Sequence, residues 1–598
     1  APTAAATTAP TKAPVTTKTP VATPTQKIVA AGDDWLTTNG SKIVDKNGTE
    51  VWLTGVNWFG YNTGTNIFDG CWSVSMNEAL KAIADHGFNL LRVPISSELL
   101  LNWKSGVYPE ANYNTSSNPD LIGKNSLQIF DYMLELCQKY GIKVMIDIHC
   151  VETDAMGHNL PLWYTNSFST EKYLESLDWV SARYKNNDTV IAYDLKNEPH
   201  GAGNEQQRAI WNNSTAANNW RYVATLAGNT VLDNNPNALI MIEGNQIFPK
   251  DPSANNFTSM NEGDYHNAWW GGNLMGVKYY PVDFGSAARN RQIVYSPHDY
   301  GPAVSEQPWF GAGFTKNSLL QDYWYDYWFY IQDQNIAPIL IGEWGGFMEG
   351  DNLTWMTYLR ELIGENHLNY TFWCFNANSG DTGGLVLDDF KTWDTTKYNF
   401  VKEVIWTDSN GKFIGLDHQI ALGANGESLS DYSGKKVADA PADAPVAGDI
   451  TNDSAVQPAP THTDVSDVVN NDDIKTDAKP EQNATEETEE TNEVLSGELD
   501  EHSESNELTG VTLETYEAIE TSETHETVAI DGIDETSAKN VTKPKKTGTD
   551  LSGVMTVIMI VVGCIVGLVV IVAVCRFVYL IKKGKSVKEA IVGVFKMF

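Results

Sequence analysis

Between residues 51 and 375 the chain repeats one pattern eight times: a short apolar run, then a longer stretch in which apolar residues return at helical spacing or a loop intervenes. The runs cover residues 51–56, 89–95, 143–148, 190–195, 239–243, 293–296, 338–341 and 370–375. Helix-like segments lie at 75–86, 126–140, 171–185, 218–233, 319–334 and 353–365. Runs that are apolar throughout suit parallel strands covered on both faces, and parallel neighbours need long, usually helical, crossovers. Eight such units imply an α/β fold, a (β/α)8 TIM barrel. A doubly wound open sheet is the competing arrangement, but no glycine-rich phosphate loop follows the first run. Asn39-Gly40 and Asn47-Gly48 are strong turn signals, so an N-terminal hairpin is placed under the barrel.

The chain has 598 residues and a net charge of −36, too long and too uneven for one compact unit. Composition divides it. Residues 1–34 are rich in Ala, Thr and Pro and read as an extended stalk. Residues 35–416 hold the barrel. Residues 417–550 are Asp, Glu, Thr, Ser and Asn with few aromatics, and carry the greater part of the net charge. Such a segment buries too little apolar surface to offset its ordering entropy and is read as disordered. Residues 551–575 include an uncharged apolar stretch from 554 to 574, long enough to span a bilayer. Residues 576–598 are basic, with Arg576, Lys582, Lys583, Lys585 and Lys588. That bias puts a short tail inside and the barrel outside, as a single-pass cell-surface protein. Gly563 and Gly567 form a GxxxG pattern, a weak signal for a homodimer through the membrane helix. The first residue is Ala1, which a cleaved signal peptide explains. No basic stripe exists, so nucleic acid is excluded as a partner. No CxxC pair occurs, so no metal site or other cofactor is assigned. Sequons, including those at Asn212, Asn352 and Asn369, mark candidate glycosylation sites.

Polar residues end the apolar runs. Arg92 ends the second, His149 the third, Asn197 and Glu198 the fourth, His298 and Tyr300 the sixth and Glu343 the seventh; Trp373 lies in the eighth. Pro199 forces the fourth run out of the sheet just after Glu198, because proline cannot donate to a ladder. In such a barrel the C-terminal ends of the strands form one rim, where reacting groups collect. Two glutamates on one rim suit cleavage of a glycosidic bond, which needs one carboxylic acid and one carboxylate.

The motifs Asn197-Glu198-Pro199, His298-Asp299-Tyr300, Gly342-Glu343-Trp344-Gly345 and Thr371-Phe372-Trp373 resemble glycoside hydrolase family 5, the retaining cellulase and mannanase family. Gly55-Val56-Asn57-Trp58-Phe59-Gly60, Leu162-Trp163-Tyr164 and Trp269-Trp270-Gly271-Gly272-Asn273 are similar to its bacterial endo-β-1,4-glucanase branch. The resemblance covers about residues 35–406. It implies Glu198 as general acid/base and Glu343 as nucleophile, with Arg92 and Tyr300 bonded to Glu343. It implies that Asn197 binds the sugar 2-hydroxyl, that His149 and His298 hold sugar hydroxyls or Glu198, and that Trp373 floors the cleavage point. Trp58, Trp269 and Trp270 either stack on neighbouring sugars or pack within loops.

Cys71 and Cys150 both fall near the rim and form a candidate disulfide; Cys137 and Cys374 read as buried and free. The substrate implied is a β-linked polysaccharide, cellulose or mixed β-glucan. Mannan, xyloglucan or lichenan are alternatives within the family. A surface adhesin that binds sugar without turnover is the alternative from another class, and the presence of both glutamates counts against it.

Overall fold

The computed structural model describes residue 32 and residues 34–439. All of the stalk but residues 32 and 34, the greater part of the acidic segment, the membrane stretch 551–575 and the basic tail lie outside the described residues. Asp34, assigned to the stalk by composition, is buried against Lys143 and His418. Among the described residues no helix is long and apolar enough to cross a membrane.

Eight parallel strands form the centre: Thr54–Asn57, Leu90–Ser96, Lys143–Cys150, Val190–Asp194, Leu239–Ile242, Ile293–Tyr295, Leu340–Ile341 and Asn369–Phe372. Numbered in that order, they pair as 6-5-4-3-2-1-8-7. Parallel bridges Tyr295–Ile339 and His298–Glu343 join strands six and seven and close the barrel. Closure brings residues from all eight strand ends around one opening.

The outer helices begin on side-chain caps. Ser75 accepts from the Glu78 amide, and Asn125 with Gln128 forms a reciprocal capping box before helix Ser126–Tyr140. That helix stops at Gly141, whose φ of 74° suits glycine. The segment read as one helix over 319–334 keeps its place but changes its winding. Residues Leu320–Phe329 form a π-helix between two short α-helical turns. It carries Tyr323, Trp324, Tyr327 and Trp328 buried against the barrel, and the Trp324 indole donates to Asp299 at 2.6 Å. Widened turns of this kind recur beside functional sites.

Side-chain alternation splits the barrel interior into two storeys. The lower storey is apolar, with Leu90, Met145, Ala192, Leu239, Met241 and Val294 in one cluster with Leu36, Ile43 and Val51 of the N-terminal hairpins. The hairpin strands Leu36–Asn39 and Lys42–Asp45 pair antiparallel as the Asn39-Gly40 signal implies. The upper storey, two residues further along each strand, is charged: Arg92, Asp147, Asp194 and Glu243.

Residues 417–439 correct the composition-based boundary. They are folded onto the barrel domain, with Gly426–Glu427 pairing Phe413–Ile414 and a helix at Leu429–Asp439. Asp417, His418, Leu422 and Leu429 are buried. The reason is long-range: Asp417 meets Lys143 at 3.0 Å, a partner 274 residues away that local composition cannot register. Three sequons are also corrected. Asn212, Asn352 and Asn369 are buried, and Asn369 bonds the Leu53 amide and the Ile339 carbonyl, so none is open to a glycan in the folded chain.

Candidate active site

A cleft of about 850 Å³ opens over the C-terminal rim, lined among others by Phe59, His149, His158, Asn197, Glu198, Trp269, Trp270, Tyr300, Glu343 and Trp373. Arg92 and His298 lie just beneath its surface and are fully buried.

Arg92 organises the floor. Its Nη1 donates to Glu343 Oε1 at 2.7 Å and to Asn57 Oδ1 at 3.0 Å. Its Nε donates to Asp194 at 3.0 Å, and its Nη2 to Asn197 Oδ1 at 3.0 Å and Glu243 at 3.3 Å; Asp147 lies 3.2 Å away. A guanidinium offers five donors in a fixed fork, which suits it to several acceptors at once. Burial works against its charge, but Asp147, Asp194, Glu343 and Glu243 hold it firmly protonated. Tyr300 completes the grip on Glu343, donating to Oε2 at 2.6 Å. Glu343 thus has both oxygens occupied by donors and a fixed orientation. Because Arg92 is buried, it orients Glu343 and Asn197 and does not touch substrate.

Glu198 is set differently. It is partly exposed to the cleft, and His298 Nδ1 lies 3.0 Å from its Oε1. His298 bonds Glu198 and stays clear of the cleft, so the two histidines divide the roles left open in the sequence. His149 faces the cleft, with Nδ1 held by Asp147 at 2.7 Å. Burial drives His149 well below the usual imidazole range. Burial also disfavours charge on His298, yet Glu243 and Glu343 override it and raise His298 well above that range. Burial raises the Asp147 carboxyl to about 7 and the Asp194 carboxyl to about 6; it also pushes Glu243 upward, against the opposing pull of His298 and Arg92.

One atom each from Glu198, His298 and Glu343 lie within 4.8 Å of one another, and the same holds for Asp194, Glu243 and His298. These oxygens could ligate a cation, but Arg92 already bonds Glu343, Asp194 and Glu243. The positive charge that the carboxylates require is supplied by the chain itself. An approach within 4.8 Å between one oxygen each of Glu198 and Glu343 is in keeping with the roughly 5 Å of retaining glycosidases rather than the wider spacing that inversion needs.

The aromatics separate. Trp373 lies partly open in the cleft, stacked on Phe59 with centroids 5.5 Å apart and on His149 at 5.8 Å. Trp269 lines the cleft edge, and Trp270 lines it with one face covered by His200 at 3.8 Å. Trp58 is a correction. It has no exposed surface, stacks on Phe68 at 4.1 Å and donates its indole to Asp69 O at 2.9 Å. Its neighbour Phe59 lines the cleft instead, its amide held by Asn376 Oδ1 at 3.0 Å just beyond the end of strand one. The Cys71–Cys150 disulfide is a second correction. All four described cysteines are free and buried. The Cys150 thiol points to the Asn62 carbonyl at 3.4 Å, while Cys71 lies near Tyr61.

Sequence reasoning missed Glu243, Asp147, Asp194, His158 and Phe59. Glu243 gave the same signal as Glu198, a carboxylate at the end of an apolar run before Gly244. Asp147 and Asp194 were hidden inside their runs, since a charged residue there finds its partner only across the barrel.

Comparison with known proteins agrees with the geometry. Residues 44–379 match the cellulase model of glycosyl hydrolase family 5. Over 448 residues the chain is 48% identical to Endoglucanase G of Acetivibrio thermocellus, covering 69% of this chain and 79% of that relative. Endoglucanase B of the same organism is 43% identical and covers 67% and 77%. Among solved structures, an endocellulase from Pyrococcus horikoshii superposes with a TM-score of 0.55 at 34% identity, covering 62% of this chain and 98% of that one. A structure of that endocellulase in complex with cellotetraose matches to the same degree. On this match, over a fold that presents two facing glutamates at the rim, the chain belongs to glycosyl hydrolase family 5.

Proposed function

We infer that the protein is an endo-acting β-1,4-glucanase that cleaves cellulose or mixed β-glucan with retention of configuration. The observation that carries this reading is the approach of Glu198 and Glu343 across an open cleft, with Glu343 held by Arg92 and Tyr300 and Glu198 by His298. The two endoglucanases of Acetivibrio thermocellus support the glucan assignment.

Glu343 attacks the anomeric carbon while Glu198 protonates the departing oxygen. A covalent glycosyl-enzyme forms on Glu343. Glu198, now a carboxylate, takes a proton from water as the water oxygen bonds to the anomeric carbon and the bond to Glu343 breaks, releasing the sugar. Asn197, aimed by Arg92, faces the 2-hydroxyl. Trp373, Phe59 and Trp270 offer ring faces to the flat apolar sides of successive sugars.

Rates on carboxymethyl-cellulose, mannan and xyloglucan, taken side by side with the fall in viscosity, test the substrate. Turnover is greatest on carboxymethyl-cellulose, with an early loss of viscosity. A mannan rate well above the glucan rate overturns the assignment. Proton NMR of the first product shows the β-anomer; an α-anomer overturns retention.

The sequence outside the described residues supports a surface tether: an acidic linker, an apolar stretch and a basic tail inside. Protease added to intact cells then releases an active barrel. Activity that stays on the cells after the linker is cut excludes that topology.

A further inference from the structure

Glu243 is a buried carboxylate that no step above uses, and it touches the backbone of Glu198. Its Oε2 accepts the Glu198 amide proton at 2.6 Å. Glu198 sits at φ 50°, in the left-handed region that a glutamate rarely occupies and that surrounding structure must impose. The other oxygen, Oε1, lies 3.2 Å from His298 Nε2 and 3.3 Å from Arg92 Nη2. His298 Nδ1 faces Glu198 Oε1. Two glycines make room for this arrangement. A Cβ on Gly271, at φ 71°, would come within 2.2 Å of Glu243 Oε2 and 3.3 Å of the Glu198 Cα. A Cβ on Gly342 would come within 2.8 Å of His298 Nε2.

We propose that Glu243 is the positioning residue of the acid/base: it fixes the Glu198 backbone through the amide and holds His298 as an imidazolium against the Glu198 side chain. One carboxylate thereby sets both where Glu198 points and what charge it faces. This rests on the assignment of Glu198 as acid/base.

The charged and titratable groups around the Glu243–His298 pair are Arg92 from strand two, Asp147 from strand three, Asp194, Lys196 and Glu198 from strand four and beyond, and Glu343 from strand seven. Burial is the largest influence on His298 and favours the neutral ring; with Glu243 removed it is opposed by Glu343 and Glu198 without their strongest ally.

The full-length chain and its Glu243→Gln and Glu243→Asp variants form the test. Ring nitrogen NMR, with the His298 signal identified by its loss in His298→Gln, reports the imidazole charge. The wild-type ring stays protonated through neutral pH, Glu243→Asp keeps it protonated, and Glu243→Gln makes it neutral. Glu243→Asp, shorter by one methylene, breaks the amide contact, and Glu243→Gln removes the charge that faces His298, so both variants lose kcat on β-glucan by about 100-fold, with KM within about twofold. On a dinitrophenyl cellobioside, whose leaving group needs no acid, the first burst keeps its wild-type rate. An unchanged His298 charge in Glu243→Gln, or wild-type kcat in Glu243→Asp, overturns the proposal. An equal loss of burst rate and glucan turnover with a lowered melting temperature also overturns it, in favour of a merely structural group. Lack of wild-type activity on β-glucan would instead strike the functional assignment, and the NMR result stands apart from it.

Discussion

Arg92 and Lys143 are both cations buried among carboxylates, near opposite ends of the same barrel. Lys143 opens strand three at the bottom, and Asp147, a partner of Arg92, sits four residues further along that strand. Lys143 meets Asp34 at 2.6 Å and Asp417 at 3.0 Å, and His418 joins Asp34 at 2.7 Å to Asp45 at 3.0 Å. Here the acids find backbone donors as well. Asp45 accepts the Asn47 and Thr49 amides, and Asp417 those of Gln419 and Ile420. Burial pushes Asp34 and Asp45 up, but His418 and backbone bonds pull both below the usual carboxylate range, with Lys143 adding to the pull on Asp34. At the top the opposite holds: Asp147 Oδ1 and Asp194 Oδ1 are buried with no hydrogen-bond partner, and both carboxyls are raised. A satisfied cluster locks three chain segments together. An under-satisfied one keeps protons exchangeable near neutral pH, where acid–base chemistry operates.

The largest break in this contrast comes at the top. Glu343→Gln abolishes turnover, by roughly 10⁵-fold or more, because no covalent intermediate forms. Its urea midpoint moves little, since Arg92 retains Asp147, Asp194 and Glu243 as partners. Residual activity on an activated aryl glycoside near the wild-type rate would remove Glu343 from the role of nucleophile.

Glu198→Gln is conditional. Glucan turnover falls by about 10³-fold, while an activated aryl cellobioside still gives a burst of phenol and added mass on the intact protein. Azide, which needs no base, restores turnover and yields the β-glycosyl azide. An α-azide product would contradict both assignments.

At the bottom the same kind of substitution costs stability and spares chemistry. Lys143→Met leaves Asp34 and Asp417 buried without their cation and lowers unfolding free energy by about 3 kcal/mol. Specific activity of the folded fraction is unchanged. A loss of kcat with unchanged stability would show that the two clusters are not separable.

The smallest effect is a pair of pH windows. His418 is raised to about 9 in the fold by its bonds to Asp34 and Asp45, above the ordinary value of 6.5. Its contribution is therefore fully present below pH 6.5 and is lost as pH rises toward 9. Asp147 is raised by burial to about 7 from 3.8, so the fold binds its proton more tightly than the unfolded chain and stability falls as pH rises from about 4 to 7. In urea titrations across pH, His418→Gln flattens the slope only in the upper window and Asp147→Asn only in the lower. Flattening of both by one variant would couple the two ends.

Much of this was legible because strand formation and rim chemistry are local. Apolar runs that end in a polar residue named the strands, although strands four and seven stop at Asp194 and Ile341, short of Pro199 and Gly345. Glu198, Glu343 and Tyr300 could be picked from those ends; Arg92, read as a strand end, lies inside strand two, Leu90–Ser96. Phe59 could not be separated from Trp58, because inward and outward faces are set by how strand one turns at the rim. Asp417 and His418 looked like the start of a solvated acidic tail because their partners, Lys143, Asp34 and Asp45, are remote in sequence.

The sequence by itself determined the barrel, the pair of glutamates and the residues able to hold them, since these follow from residue type and period along the chain. Tertiary structure alone decided the distance between Glu198 and Glu343, the employment of Glu243 and His298 in setting Glu198, and the choice of which buried charges are satisfied. Those are distances across a closed barrel. A buried charge is stabilised or frustrated only by the groups that closure brings within a few ångströms of it.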